Sequence, residues 1–429
     1  MQIKRDRYLQ KLIDRMGNGQ IKVVTGVRRC GKSFLVFNLF RDYLREQGVP
    51  DDHVIEVALD DDDNEALRDV GNLSRHIKER LAAVGGMRYV LLDEVQLAIT
   101  RDEMRNPDIQ VRLYGLLNSL LRKGDIDVYV TGSNSKMLSK DVATEFRGRG
   151  DVVEIHPLSF AEYYSHVGGD RVSALDGYLV YGGMPLALSK RDAQAKREYL
   201  GSLFDEVYMR DIVERYEVEK PSVLSEITED LCSSVGSLTN ANKISRTLKS
   251  VKGVPVDNET VAAYLGYLTE SFLFRCARRY DVKGKRYFEF PSKYYCEDVG
   301  LRNARLGFRQ QEETHLMENV IYNELVARGY AVDVGVVEIS EKGSDGKPRR
   351  KKVEIDFVAT KAPEQIYIQS ALSMDDPDKA RAELRPLLAV RDFFHKVVVS
   401  KTTMPSWIDD AGIIHMGVYD FLLDETLFS

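Results

Sequence analysis

The octapeptide GVRRCGKS, residues 26 to 33, constrains this chain more than any other stretch of it. Gly26, Gly31, Lys32 and Ser33 stand at G-x-x-x-x-G-K-[ST] spacing, directly after the apolar run IKVVTG and directly before the amphipathic run KSFLVFNLFRDYLREQ. A strand that turns through such a loop into a helix aims a row of backbone N–H groups and a helix N-terminus at one point, the geometry that cradles a polyphosphate. The expected contact set is Gly26, Val27, Arg28, Arg29, Cys30, Gly31, Lys32, Ser33 and Phe34. In it the amides wrap the phosphates, Lys32 reaches the β- and γ-phosphates and the Ser33 hydroxyl ligates a cation. ATP and Mg²⁺ are the expected ligands. Cys30 lies where the helix N-terminus and Lys32 would lower a thiol pKa, so it is either a redox-sensitive group or an inert small residue in the loop.

The residues around this loop fit an α/β fold. Four apolar runs read as strands of a parallel sheet, at 21–26, 53–59, 88–94 and 127–133, with helical patterns between them. The third, YVLLDE, ends in two carboxylates. Beside a phosphate loop, Asp93 would hold Mg²⁺ and Glu94 would polarise the attacking water. The fourth ends in TGSNS, where Ser133 or Asn134 would touch the γ-phosphate. Downstream, TEFRGRG puts Arg147 and Arg149 in a glycine-flanked loop, either one suited to place a guanidinium against a neighbouring subunit's γ-phosphate.

A chain of 429 residues exceeds what one hydrophobic core usually supports. The pattern divides it at 1–165 (nucleotide-binding core), 166–215 (helical lid or linker), 216–300 (small helical module) and 301–429 (a helix followed by a strand meander). The four cysteines are scattered with no C-x-x-C pair, which argues against structural zinc and a disulfide framework. No apolar run approaches the roughly 20 residues that span a bilayer, and MQIKRDRYLQ lacks the apolar core of a secretory signal, so the cytoplasm is the expected compartment and no membrane partner is expected. A net charge of −6 supplies no global attraction to nucleic acid, so DNA contact would need a local basic patch.

Taken together, GVRRCGKS, YVLLDEVQ, TGSNSKMLS, FRGRG, IHPLSFAEYY and YGGMP resemble a family of bacterial and archaeal AAA-type (AAA+) P-loop ATPases, over nearly the whole chain. The resemblance implies an N-terminal AAA-type domain and a C-terminal region of unknown function, built from a winged-helix module and a restriction-endonuclease-like module. The residues can be held against that expectation. SLTNANKISRTLKS and VDNETVAAYLGYLTESFLF give two helices split by a polar connection, and RRYDVKGKRYF, with Gly284 at its turn, would be the wing. Lys243, Arg246, Lys249, Lys252, Lys283, Lys285 and Arg286 supply cations that could meet phosphates, yet the reading helix NETVAAYLGYL carries no Lys or Arg.

Endonuclease-like folds hold their metal with an Asp and a Glu-x-Lys on the next strand. Here Asp356 closes EID and Glu318 lies on the preceding helix, but the Glu-x-Lys position reads QSA, with Gln369 and Ala371. Nuclease activity is not expected. The leading expectation is a Mg²⁺-dependent ATPase coupling its nucleotide state to a C-terminal DNA- or partner-binding region, assembled as a homo-oligomeric ring with arginine fingers in trans. The alternative is a slow-turnover switch that docks protein partners without DNA; a kinase is a weaker third.

Overall fold

The computed structural model describes residues 3–106, 108–132, 150–288, 291–342 and 348–424. They form two compact units, Met1–His156 with Glu270–Phe272, and Pro157–Thr269 with Leu273–Ser429.

In the first unit, β1 (Ile21–Thr25), β2 (Val54–Ala58), β3 (Arg88–Asp93), β4 (Ile126–Thr131) and β5 (Gly150–Glu154) make one parallel sheet in the order β2-β3-β4-β1-β5. β1, β3 and β4 are buried at every residue, as expected of strands covered on both faces. One layer packs Val23, Val57, Val90, Leu92 and Val128 against Leu73 and Ile77 of the helix Val70–Ala82 and Leu113 and Leu117 of the helix Arg112–Leu121. Sequence patterning gives four strands; the described residues form five. β5 was missed because GDVVE holds only two adjacent apolar residues, one of them, Val152, 40% exposed, so it lacks an apolar run.

Inside this sheet, Lys22 on β1 and Asp127 on β4 form a fully buried ion pair. Asp127 also accepts the Tyr129 hydroxyl at 3.0 Å and the Gly17 N–H at 3.0 Å. The pair therefore ties β1, β4 and the turn before β1 into one network.

The second unit opens with helices Phe160–Val167, Arg171–Tyr181 and Ala193–Ser202, followed by Pro221–Ser233, Ala241–Val251 and Asn258–Glu270. Short strands β6 (Phe274–Ala277), β7 (Arg279–Asp281), β8 (Arg286–Tyr287) and β9 (Lys293–Cys296) follow, then the helix Glu313–Ala327. The chain ends in β10 (Ala331–Lys342), β11 (Pro348–Lys361), β12 (Glu364–Ala371), the helix Pro377–Leu388, β13 (His395–Ser400), β14 (Trp407–Ile408), β15 (Ile414–Gly417) and the helix Val418–Leu423. Eight of these strands form a mixed sheet, β14-β15-β13-β12-β11-β10-β7-β8, while β6 pairs with β9. The segment expected as a wing forms the β7–β8 hairpin, and Gly284 lies in its turn, donating its N–H to Asp281 at 2.9 Å. β7 also runs parallel to β10, so this hairpin extends the large sheet rather than standing alone. Among the described residues, no helix is long and apolar enough to cross a membrane.

The two faces of the mixed sheet carry separate cores. Val332, Val334, Phe357, Ile366 and Ile368 share one with Leu316, Val320 and Ile321 of the helix Glu313–Ala327, and with Phe160, Leu175 and Leu179 of the first two helices of the unit. Val337, Ile355, Tyr367 and Val398 share the other with Leu387 of the helix Pro377–Leu388. The YGGMP phrase finds its reason here. Asp298 caps the helix Val299–Arg305 through the Leu301 N–H at 3.0 Å and accepts the Gly183 N–H at 2.6 Å. A Cβ on Gly183 would stand 2.2 Å from the Leu158 carbonyl, and one on Gly182, whose φ is +68°, 2.1 Å from Asp298. Burial pushes the Asp298 carboxyl up to about 6, against the hold of those N–H groups.

Candidate active site

The loop after β1 has the backbone that its glycines allow. Gly26, Arg29 and Gly31 take φ of +142°, +63° and +104°. A Cβ on Gly26 would lie 2.1 Å from the Ile155 carbonyl, so any other residue here would push the loop off the chain that follows β5. The helical run then starts at Lys32, with an α-turn Lys32–Phe34, a wider π-turn stretch Leu35–Phe40 and α-helix Arg41–Glu46.

Lys32 is buried, and its ammonium donates to the carbonyls of Gly26 at 3.1 Å and Val27 at 3.2 Å. It is thus folded back inside the concavity of its own loop, within reach of the space a phosphate chain would fill. Ser33 hydrogen-bonds the Asp93 carboxylate at the tip of β3. Burial raises the Asp93 carboxyl above the ordinary range, against the hydrogen bonds of Ser33 and Thr131 and with the negative charges of Glu94 and Asp60 adding. A hydroxyl and a carboxylate already in contact are the oxygen pair that a hard divalent cation takes up, and a cation there would favour the charged form of Asp93. The residues present therefore fit Mg²⁺.

Glu94 follows in a left-handed conformation, φ +49°, which turns its side chain out of the strand direction. Its N–H donates to Thr131 Oγ1 at 3.1 Å, and its carboxylate accepts from the Gln96 amide. Thr131 also donates its hydroxyl to Asp93. Thr131, at the end of β4, thus joins the Asp93 carboxylate to the Glu94 backbone, a contact the sequence reading did not single out. Ser133, Asn134, Arg147 and Arg149 lie outside the described residues.

Arg5 was missed altogether. It is buried, donates to the Cys30 carbonyl at 3.0 Å and the His156 carbonyl at 2.6 Å, and lies 4.6 Å above the Tyr8 ring. Two charge-assisted bonds brace the loop from behind. Nothing in local sequence marks the residue, because its partners are 25 and 151 positions away. Arg5→Ala is expected to weaken ATP binding roughly tenfold by loosening the loop, at about 1–2 kcal/mol for the lost bonds; a fluorescent-nucleotide titration with unchanged affinity would refute the bracing role. Cys30 itself is buried, its thiol directed at the Ile155 carbonyl at 3.7 Å. That burial favours the inert reading of Cys30 over the redox-sensitive one.

The cations expected to meet phosphates in the second unit are partly engaged. Lys252 pairs with Glu226 and with Glu229 at 3.4 Å, Arg286 with Asp281 at 3.4 Å, and Lys243 donates to the Leu238 carbonyl at 2.8 Å.

A family model described as an AAA domain matches residues 18–164, and one described as a domain of unknown function matches 172–312. An uncharacterized protein of Haemophilus influenzae is 33% identical over 427 residues, covering 98% of both chains. An uncharacterized protein of Methanocaldococcus jannaschii is 25% identical over 378 residues, 84% of this chain and 77% of that one. Among solved structures, the Walker-type ATPase of Pyrococcus abyssi is similar over 71% of this chain and 96% of its own, at 15% identity and a TM-score of 0.47.

Proposed function

We propose, starting from the fact that this chain belongs to the AAA-domain P-loop ATPases that carry a C-terminal domain of unknown function, that it binds and hydrolyses ATP with Mg²⁺ and passes its nucleotide state to the C-terminal unit. The observation that carries this reading is the joint placement of Lys32 inside the loop and of Ser33 against Asp93. When bound, Mg²⁺ would neutralise charge that develops on the phosphate oxygens. The chain's own residues do the rest. The loop amides and Lys32 hold the phosphates, Ser33 and Asp93 present oxygens to the cation, and Glu94 orients and deprotonates water. Thr131 fixes Glu94 and Asp93 relative to each other.

Asn134, with Ser133 beside it, is proposed to sense the γ-phosphate, and Arg147 or Arg149 to complete a neighbouring subunit's site in a ring. The cytoplasm is the proposed compartment. In the C-terminal unit, the 216–300 segment is proposed as a winged-helix module and 301–429 as an endonuclease-like module without nuclease chemistry. The partner read by that region is DNA or a protein. The engaged state of Lys252, Arg286 and Lys243, together with a reading helix free of Lys and Arg, favours the second reading, a slow switch that docks protein.

The test is ATP turnover at low salt, with and without duplex and single-stranded DNA, using Lys32→Ala as the inactive control. DNA stimulation of roughly tenfold or more, lost in Lys32→Ala, establishes DNA as the partner; turnover indifferent to DNA selects the docking switch. No Lys32-dependent turnover under any condition sinks the ATPase reading itself.

A further inference from the structure

The second unit holds a buried cation ringed by acids, none of which belongs to the nucleotide site. Lys293, on β9, places its ammonium 3.0 Å from Glu318 Oε1 on the helix Glu313–Ala327, 2.8 Å from Glu354 Oε1 and 3.5 Å from Asp356 Oδ1, the last two on β11. Tyr295, two residues along β9, donates its hydroxyl to the same Glu318 oxygen at 2.7 Å. Asp356 Oδ2 accepts the Ser370 N–H at 2.9 Å. The Ser370 hydroxyl is buried and has no partner among the described residues. By the strand's period of two it shares the face of Ile366 and Ile368, which pack in the same core as Met317 and Ile321 beside Glu318.

Three carboxylates on two elements therefore gather about one ammonium, and the Ser370 N–H on the next strand holds one of them. One ammonium faces three carboxylates, so the set is unbalanced. Burial drives the Asp356 carboxyl up to about 7, with Glu318 adding and Lys293 and the Ser370 N–H opposing. For Lys293, burial pulls the other way, but the attraction of Glu318, Asp356 and Glu354 wins and holds it charged. Such oxygens, stripped of the ammonium, are the donor set of a hard divalent ion. As the chain stands, no group of three His, Cys, Asp or Glu among the described residues is arranged to hold a metal. Gln369 does not compete for the centre, since its amide donates to Glu383 at 2.9 Å on the other face of the sheet.

We propose that Lys293 is a built-in substitute for a divalent cation, its ammonium standing where Glu318, Glu354 and Asp356 would otherwise hold a Mg²⁺- or Mn²⁺-sized ion. The ammonium suits that position because it is a compact point charge on a flexible stem, able to serve three acceptors at once. The unit thereby keeps a carboxylate pocket folded without metal. Shortening the side chain reopens it: Lys293→Ala creates a divalent-cation site, whereas Lys293→Met fills the space with an uncharged stem and creates none.

The experiment uses full-length, nucleotide-free protein titrated with MnCl₂, read by the electron paramagnetic resonance of bound Mn²⁺ and by thermal unfolding. Lys293→Ala is expected to take up about one Mn²⁺ per chain beyond wild type, at least roughly tenfold more tightly, with a rise in its unfolding midpoint. Wild type, Lys293→Met and Lys293→Ala/Asp356→Asn should show neither change, which also separates this pocket from the phosphate loop. A folded Lys293→Ala without added Mn²⁺ binding overturns the proposal, as does equal binding by the Asp356→Asn double variant. If Lys293→Ala is insoluble, Mn²⁺ during expression must restore soluble protein; failure to do so counts against the proposal as well.

Discussion

Glu94→Gln is expected to bind ATP as tightly as wild type while turning it over roughly 10²- to 10⁴-fold more slowly, the range a positioned general base supplies. The amide keeps the shape of the side chain, and its N–H to Thr131 Oγ1 comes from the backbone, so the loop and the Asp93 contact survive the change. Only the charge that draws the proton from water is gone. Lys32→Ala should differ in kind, losing affinity as well as rate, because Lys32 is the buried ammonium inside the loop. Equilibrium nucleotide binding set beside steady-state hydrolysis separates the two variants. Should Glu94→Gln retain more than about a tenth of wild-type turnover, Glu94 is not the base.

Lys22→Met is expected to cost the first unit about 3–5 kcal/mol, the usual result of leaving one member of a buried ion pair without the other. Lys22 and Asp127 are both almost wholly shielded from water, and the methionine would strand a carboxylate in the middle of a five-stranded sheet. Lys22→Met/Asp127→Asn should recover most of that loss. The asparagine oxygen still receives the Tyr129 hydroxyl and the Gly17 N–H, while the stranded charge disappears. Hydrogen exchange at the β1 and β4 amides reads this unit without interference from the other. A loss below about 1 kcal/mol would mean that the pair is solvated or replaceable.

What could be read from sequence follows the range of the interactions concerned. The phosphate loop, β1 and β3 were legible because their signals are local: a fixed spacing of Gly, Lys and Ser, and apolar runs ending in Asp93 and Glu94. β5 was not, since its sequence, GDVVE, holds only two adjacent apolar residues. Thr131 was not singled out, because only the pairing of β4 beside β3 brings its hydroxyl to the Asp93 carboxylate and the Glu94 N–H. Arg5 and Lys293 were invisible. Each acts on partners 25 or more positions away, and each looks locally like one surface cation among many. In the second unit the helix Glu313–Ala327 and the β10–β11–β12 meander were legible from periodicity, whereas the parallel pairing of β7 with β10 was not, since the residues between them give no sign of it.

The stretch Ile155–His156 lies at the point where the chain leaves the first unit. Its Ile155 carbonyl is pressed against Gly26 and receives the Cys30 thiol, and its His156 carbonyl is held by the same Arg5 that holds Cys30. The loop after β1 and the last two residues of the first unit are therefore one hydrogen-bonded part. A substitution at Arg5, Gly26 or Cys30 is thus felt at the last residues of the first unit as well as in the loop.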